Sequence, residues 1–165
     1  MGKLARVRID ILERALDGLH RVARKRGALN GQPEHLITGI NGERAAYFYL
    51  RRKGYLVVAR RWSGGDLPGD IDLIAWQGPM LCFVEVKART AHDITPAEVA
   101  VDSHKRNILR RLARRYVRQL PRETTPPVRF DVISVYLVPG EEKEIQHFEG
   151  AFGWSEQRDG ESHSS

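Results

Sequence analysis

Three acids and one lysine interrupt two apolar runs between Gly69 and Arg89. The runs are GDIDLIAW and LCFVEVKAR, and their charged side chains are Asp70, Asp72, Glu85 and Lys87. A carboxylate inside an apolar run is costly without a partner, because burial disfavours its charged form. Clustered carboxylates bind hard divalent cations, and a nearby lysine stabilises negative charge. These residue types therefore make the segment a candidate site for metal-assisted chemistry.

The two runs are predicted to form a β-hairpin, since only the four residues QGPM separate Trp76 from Leu81. A symmetric turn places Asp72 opposite Glu85 and Asp70 opposite Lys87. Side chains alternate along a strand, so these four would share a face with Ile74, Trp76, Leu81 and Phe83. The other face would be wholly apolar, with Ile71, Leu73, Ala75, Cys82, Val84 and Val86. A strand pair of this kind belongs in the middle of a covered sheet.

In this register the Cβ atoms of Asp72 and Glu85 would lie about 5 Å apart, where two bare carboxylates repel each other. Two explanations remain open at this point. A divalent cation could bind both carboxylates, with Lys87 one pleat away to neutralise charge or hold a water or an anionic transition state. Alternatively, the cluster is structural, with Asp70 paired to Lys87 and one carboxyl group protonated.

Helices and further strands are predicted on both sides of the hairpin. Periodic apolar residues and the stop at Gly54 predict a helix over 36–53, with Glu43 in an otherwise small and apolar stripe. A helix is predicted from Ser103, capped by Asp102 or Ser103 and stopped by Pro121. Strands are predicted over 55–62, 128–138 and 144–148, and the stretch before Asp102 is predicted to be irregular. This order predicts an α/β fold with a mixed central β-sheet flanked by helices.

The helix that begins at Ser103 has one strongly basic face. Its seven basic residues, with no acid among them, are Lys105, Arg106, Arg110, Arg111, Arg114, Arg115 and Arg118. They leave the apolar stripe free and are predicted to lie on the exposed arc, where they would bind nucleic-acid phosphates. An ordinary solvated face is the alternative, and Lys105 could instead point into the site. Asp131 is expected to be structural, paired with Arg129 or a helix arginine.

Charge is unevenly distributed along the chain, whose net charge is +6. Residues 1–62 carry 14 basic and 5 acidic groups, and residues 139–165 carry 2 basic and 7 acidic groups. A basic body favours a polyanionic partner such as nucleic acid, although positive charge also aids solubility. The single cysteine, Cys82, cannot form an internal disulfide, so we expect a cytoplasmic protein. Apolar runs fall short of the ~18 residues of a membrane span, so no membrane partner is expected.

Three segments are predicted from these patterns. Residues 1–35 would form a basic amphipathic helix with a linker, residues 36–153 the folded domain, and residues 154–165 a disordered tail. The N-terminal helix would pack on the domain, on a second copy of the chain or on a protein partner. A membrane-surface helix is less favoured, because the apolar face lacks Trp and Phe.

Asp72 on one strand and Glu85-Val86-Lys87 on the next resemble the motif of PD-(D/E)xK nucleases, which have the restriction-endonuclease-like fold. Glu43 on the preceding helix is similar to the glutamate typical of the branch that contains Holliday-junction resolvases. More narrowly, about residues 36–153 resemble the YraN-like family of uncharacterised bacterial proteins. The resemblance is carried by NGERAAYFYLRRKGY, GDIDLIA, FVEVKAR, AVDSHKRNILRRLARRYV and RFDVISV. Asp70 stands where that family usually has Glu, the literal PD pair is absent, and residues 1–35 lie outside the resemblance.

The resemblance implies Mg²⁺- or Mn²⁺-dependent hydrolysis of phosphodiester bonds, with DNA as the expected substrate, including branched or damaged forms. Asp72, Glu85 and the Val86 carbonyl would hold the metal, and Glu43 would hold a second metal or a water on the first. Lys87 would orient the attacking water or stabilise negative charge. Two other kinds of function remain open: a nucleic-acid-binding protein that cuts nothing, and an assembly factor that docks a partner through its N-terminal helix.

Overall fold

The computed structural model describes residues 9–16, 18, 34–92, 101–121, 123 and 125–155. Its helices are α1 (helical residues 9–16 and 18), α2 (Glu34–Arg52) and α3 (Ser103–Val117). Its strands are β1 (Leu56–Ser63), β2 (Asp70–Gln77), β3 (Met80–Arg89), β4 (Val128–Tyr136) and β5 (Glu144–Phe152). The predicted α/β class and element order are confirmed, and β5 continues four residues beyond its predicted end. Part of the stretch predicted to be irregular, residues 93–100, lies outside the described residues.

The five strands form one mixed sheet in the order β1-β2-β3-β4-β5. All neighbours are antiparallel except β3 and β4, which are parallel and are connected through α3. A parallel pair needs such a crossover, because the chain must return to the starting edge of the sheet. The acid-bearing hairpin of β2 and β3 therefore lies within the sheet, with β1 on one side and β4 on the other.

Each face of the sheet is covered by one helix. The cluster on the α2 side contains Ala45, Ala46, Leu50, Tyr55, Leu73, Ala75, Cys82, Val84, Ile133 and Val135. The cluster on the α3 side contains Ile71, Ile74, Leu81, Phe83, Val101, Leu109, Leu112, Ala113, Phe130 and Val132. Burial of these apolar side chains fixes both helices against the strands that carry the candidate site.

The register of the hairpin is the one predicted from its turn. Trp76 pairs with Leu81 and Ile74 with Phe83, and the regular pairing continues to Leu73 and Val84. Gly78 opens the two-residue turn at φ +56°, a conformation that a residue without a Cβ adopts at little cost. Beyond Leu73 and Val84 the two strands continue into the charged end of the hairpin.

The prediction that side chains alternate strictly between the two faces along β2 is wrong at Asp72. Ile71 packs in the α3-side cluster with Ile74, whereas Leu73 packs on the α2 side. The same break occurs in β1, where Ala59 and Trp62 both pack against the α3-side cluster although they are three residues apart. In both strands the side chains thus change face at this break, although the pairing continues residue for residue. The register of β1 and β2 itself shifts between Val57 and Ala59.

The two breaks lie side by side. Arg60 pairs with Leu73 and Trp62 pairs with Ile71, so Arg61 and Asp72 occupy the same rung between β1 and β2. Arg61 has φ +45° and is the one non-glycine residue with positive φ in the described ranges. The conformation of Arg61 therefore marks the point where the sheet departs from regular pleating.

Helix α2 approaches β3 very closely at Gly42. A Cβ at this position would lie 2.5 Å from the Cβ of Ala88, so a larger residue would push the helix off the strand. The neighbouring Glu43 is consequently held against the sheet and is buried.

Asp131 has the structural role that we expected. It is fully buried in β4 and accepts hydrogen bonds of 2.7 and 2.9 Å from Arg129 and of 2.9 Å from the Gly150 N–H. The Nε2 atom of His147 lies 3.0 Å from Asp131 Oδ2. Burial alone would raise the pKa of Asp131, but these partners hold it below its ordinary value.

Helix α1 contacts the domain through polar side chains. Glu13 is buried and binds Arg52 and Lys143, whereas Ile11 and Leu12 are exposed. The rest of the predicted N-terminal helix and its linker fall almost entirely outside the described residues, and the domain boundary at residue 35 stays a prediction. Trp154, the first residue of the predicted tail, packs edge-on against Phe130, and residues 156–165 lie outside the described ranges.

Candidate active site

The two central acids meet where the regular hairpin pairing ends. Asp72 is on β2 and Glu85 on β3, and Glu85 is only 4% exposed. The Val86 N–H donates a hydrogen bond of 2.7 Å to Asp72 Oδ2. The side chain of Asp72 thus accepts a hydrogen bond from the backbone of β3, and this bond fixes one oxygen of Asp72. Val86 enters the site through its N–H, while the metal-binding role of its carbonyl stays a prediction.

Two lysines from different elements bracket Glu85. The Nζ atom of Lys87 on β3 lies 3.0 Å from Glu85 Oε1. The Nζ atom of Lys105 on α3 lies 3.2 Å from Glu85 Oε2 and 3.5 Å from the carbonyl oxygen of Asp70. The alternative that Lys105 points into the site is therefore confirmed. The first turn of α3 is fixed by its N-cap, because Asp102 accepts a 2.8 Å hydrogen bond from the Lys105 N–H.

The environment of Asp72 favours its neutral form. Burial and the negative charge of Glu85 raise the pKa of Asp72 to about 7, and Glu43 acts in the same direction. The Val86 N–H and the charge of Lys105 oppose this rise without cancelling it. The expected repulsion between the two acids is therefore present, and a proton or a cation relieves it.

Glu43 does not join the acid pair in the way that we expected. Arg61 donates two hydrogen bonds to it, both of 2.7 Å, from Nε to Oε2 and from Nη2 to Oε1. Among the described residues, no group of three or more acid, histidine or cysteine side chains is arranged to hold a metal ion. In this arrangement an arginine from β1 engages both oxygens of Glu43. The expected role of Glu43, to hold a second metal or a metal-bound water, stays a prediction.

Asp72 and Glu85 nevertheless suit a hard divalent cation. Both are carboxylates, and Glu85 Oε2 is buried and accepts no well-directed hydrogen bond from the residues that the structure describes. The ion pair expected of a purely structural cluster, between Asp70 and Lys87, is replaced by contact of Lys87 with Glu85. Mg²⁺ takes one or two carboxylates and completes its shell with water or phosphate, so two acids are a sufficient protein donor set.

The basic face of α3 is narrower than its sequence predicts. Arg111, Arg114, Arg115 and Arg118 are exposed, as expected. Arg110 is only 4% exposed, so its predicted place on the exposed arc is wrong. Its Nε atom donates a 2.8 Å hydrogen bond to the Gly153 carbonyl, and its guanidinium lies over Phe152. The chain beyond β5 covers this side of the helix.

Arg106 is also drawn towards the protein. Its Nε donates a 2.7 Å hydrogen bond to the Val101 carbonyl, and its guanidinium lies over the Phe152 ring. Arg114 lies over Trp154, and Arg115 is 3.7 Å from Asp66. The exposed arginines of α3 are therefore Arg111, Arg114, Arg115 and Arg118, and their binding to phosphates stays a prediction.

An open groove of about 620 Å³ adjoins Lys87. It lies between the start of α2 and the end of β3, and its lining includes Glu34, His35, Thr38, Gly39, Val86, Lys87, Ala88, Thr90 and Pro139. Of the candidate site residues, Val86 and Lys87 line this groove.

Arg61 is the site residue that the sequence reasoning missed. It stands in an arginine pair within a run that resembles an ordinary strand, and its partner Glu43 is 18 residues away on a helix. Neither helical nor strand periodicity connects Arg61 with Glu43 in the sequence. The available signal was Glu43 itself, since a carboxylate in an apolar stripe requires a cation from some other element.

The fold and this site define the chain as an α/β protein with a mixed five-stranded sheet and a buried acid pair bracketed by lysines. The family model described as uncharacterised protein family UPF0102 matches residues 42–135. The chain belongs to this family, and the matched segment contains Glu43, Asp72, Glu85, Lys87 and all of α3.

Curated relatives support this membership. A UPF0102 protein of Koribacter versatilis is 53% identical over 106 residues, which cover 64% of this chain and 73% of the relative. One of Solibacter usitatus is 42% identical over 144 residues, which cover 87% of this chain and 99% of the relative. One of Porphyromonas gingivalis is 40% identical over 120 residues, covering 72% and 86%. Within the described part of this chain, no helix is long and apolar enough to cross a membrane.

Proposed function

We propose that this protein is a cytoplasmic, metal-dependent endonuclease of the restriction-endonuclease-like fold that hydrolyses phosphodiester bonds in DNA. The observation that carries the proposal is the Asp72–Glu85 pair, with Lys87 on one oxygen of Glu85 and Lys105 on the other. Branched and damaged DNA are the candidate substrates. The motif resemblance of Asp72 and Glu85-Val86-Lys87 agrees with this chemistry.

Each charged side chain has a part in the proposed reaction. Asp72 and Glu85 would hold Mg²⁺ or Mn²⁺, which supplies positive charge to the scissile phosphate and lowers the pKa of a water. Lys87 stabilises the negative charge that develops on the phosphate or orients the attacking water. Lys105 keeps Glu85 in place and adds a second positive charge beside the Asp70 carbonyl. A proton on Asp72 competes with the cation, so acid pH opposes the reaction.

A cleavage screen tests the proposal directly. We expect cutting of at least one DNA form among single-stranded, duplex, flap and four-way substrates in Mg²⁺ or Mn²⁺, and none in EDTA. Asp72→Asn is the matched control, because it keeps the size of the side chain and the acceptor for the Val86 N–H but removes the charge. Cutting by Asp72→Asn at the wild-type rate would assign the activity to another site or to a contaminant.

A nucleic-acid-binding protein without cleavage is the second candidate. It is favoured by the engagement of Glu43 with Arg61, which leaves two acids rather than three for a metal. Binding of the same DNA forms with no product under any metal condition would support this candidate and reject the nuclease.

The exposed arc of α3 is expected to bind phosphates without reading sequence. Replacing Arg114 and Arg118 together by Gln should weaken DNA binding and reduce the slope of log K against log salt concentration by about 2, since each lost phosphate contact contributes about 0.9. Binding isotherms at four salt concentrations would measure the slope. The matched control replaces Lys53 and Arg60, two exposed basic residues outside α3, by Gln. Equal slopes for the two double variants would exclude α3 as the phosphate-binding surface.

A further inference from the structure

We propose that Arg61 is a positioning residue that holds Glu43 away from the acid pair until a phosphate of the nucleic acid binds the Arg61 guanidinium. Release of Glu43 would then complete the metal site in the presence of substrate. This inference rests on the proposed function, and it assigns a role to a residue outside the nuclease motif.

The contact between Arg61 and Glu43 engages both carboxylate oxygens of Glu43. Two parallel hydrogen bonds of 2.7 Å join the guanidinium edge to both carboxylate oxygens, which is the strongest geometry for this pair. Each oxygen of Glu43 accepts one of these hydrogen bonds, so a cation must compete with the guanidinium for this carboxylate while the pair is closed. This contact explains why the helix glutamate is near Asp72 and yet forms no three-acid group with it and Glu85.

The two partners differ in their access to solvent. The side chain of Arg61 is 54% exposed, whereas that of Glu43 is 12% exposed. An incoming phosphate can therefore reach the guanidinium, while Glu43 lies beneath it. Phosphate and carboxylate compete for the same fork of N–H donors, so a DNA phosphate is a suitable group to exchange for Glu43.

Arg61 is also close to β2, the strand that carries Asp72. It lies across from Asp72 between the pairs Arg60–Leu73 and Trp62–Ile71. Glu43, and to a smaller extent Asp70 and Asp72, raise the pKa of Arg61, so these three acids stabilise its charge. Movement of this one guanidinium thus changes the charge balance of the entire site.

The backbone of Arg61 favours a role of this kind. Its φ of +45° lies in the left-handed region, which is uncommon for a long side chain. This conformation costs free energy and persists only where the surroundings impose it. Strain of this type is concentrated at ligand clamps and switches. A purely structural ion pair between α2 and β1 could form from a relaxed strand and would not need this conformation.

Titration with Mn²⁺ by calorimetry in the absence of DNA tests the inference. The variant is Arg61→Asn, because asparagine tolerates positive φ and cannot bridge to Glu43 as arginine does. If Arg61 is paired with Glu43 in most molecules of the free protein, Arg61→Asn should bind Mn²⁺ about tenfold or more tightly than the wild type. The reason is that the fraction of molecules with Glu43 available for the metal rises towards one. The gain should vanish in the double variant Arg61→Asn/Glu43→Gln. DNA binding in EDTA should be weaker for Arg61→Asn than for the wild type.

Two further variants separate positioning from general charge effects. Arg60→Asn removes the same charge one residue away, where the guanidinium lies over Tyr47, and should leave Mn²⁺ affinity unchanged. Arg61→Lys keeps a charge without the bidentate fork and should give an intermediate affinity. Thermal melting of each variant confirms that it is folded.

The outcomes distinguish this inference from the proposed function. Mn²⁺ binding that depends on Asp72 but is the same in the wild type and Arg61→Asn would overturn the role of Arg61 alone. A gain that persists in the double variant would do so as well. No Mn²⁺ binding by any of these proteins would overturn both the nuclease and the role of Arg61.

Discussion

Lys87→Ala is expected to bind DNA nearly as the wild type does and to cleave it about 10²–10³-fold more slowly, the scale seen when one transition-state donor is removed. The variant should fold, because Glu85 keeps Lys105 at 3.2 Å when Lys87 is lost. Binding should persist, since the exposed arginines of α3 are distant in sequence and untouched. Single-turnover cleavage beside binding isotherms would separate the two effects.

The matched control for this variant is Lys53→Ala. Lys53 is an exposed lysine whose ammonium group lies over the Tyr49 ring rather than beside the acids. It should cleave at the wild-type rate. Cleavage by Lys87→Ala at that same rate would show that the lysine of the motif only pairs with Glu85 and takes no part in the reaction.

Asp72→Asn is expected to change how stability depends on pH. Asp72 has its pKa raised from 3.8 to about 7 in the folded protein, so between these values the folded state holds a proton that the unfolded state has lost. The free energy of unfolding contributed by this group therefore falls as pH rises from about 4 to 7, by at most about 4 kcal/mol. Above pH 7 the folded wild type bears the full free-energy cost of a charged Asp72, and Asp72→Asn should be the more stable protein.

Denaturant unfolding of both proteins at pH 5 and pH 8 would measure this effect as the difference between them, which cancels the other titrating groups. Mg²⁺ or Mn²⁺ at pH 8 should stabilise the wild type by RT ln(1 + [L]/Kd), about 2.7 kcal/mol at a hundredfold excess over Kd, and should have little effect on the variant. A variant much less stable than the wild type at pH 8 without metal would instead favour a structural role for the acid pair.

The hairpin could be predicted from sequence because its information is local. The short turn fixes which residues face each other, and the regular pairs Trp76–Leu81 and Ile74–Phe83 follow from it. The apolar stripe of α3 was likewise predictable, since helical periodicity depends on neighbouring residues alone. These two elements carry Asp72, Glu85, Lys87 and Lys105, so most of the candidate site was available from the sequence.

Long-range contacts were not predictable in the same way. Helical periodicity placed Arg110 on the exposed arc of α3, but it could not show that the chain after β5 would cover this position and accept a hydrogen bond at Gly153. Alternation placed Ile71 on the same face as Leu73, but in the structure Ile71 packs with Ile74 on the α3 side. The partner of Glu43, Arg61, lies at the corresponding break in β1 and has a φ of +45°.

The mixed topology of the sheet also has a consequence for the order of folding. The β2–β3 hairpin closes through a two-residue turn, whereas the parallel contact of β3 with β4 must wait for the long connection through α3. Hairpins form in about 1–10 μs, and contacts between distant residues form later because they require closure of a larger loop. We therefore expect Asp72 and Glu85 to approach each other before α3 delivers Lys105. Their repulsion would slow closure of the hairpin during that interval, and the divalent cation that we propose for the finished site would then also speed folding.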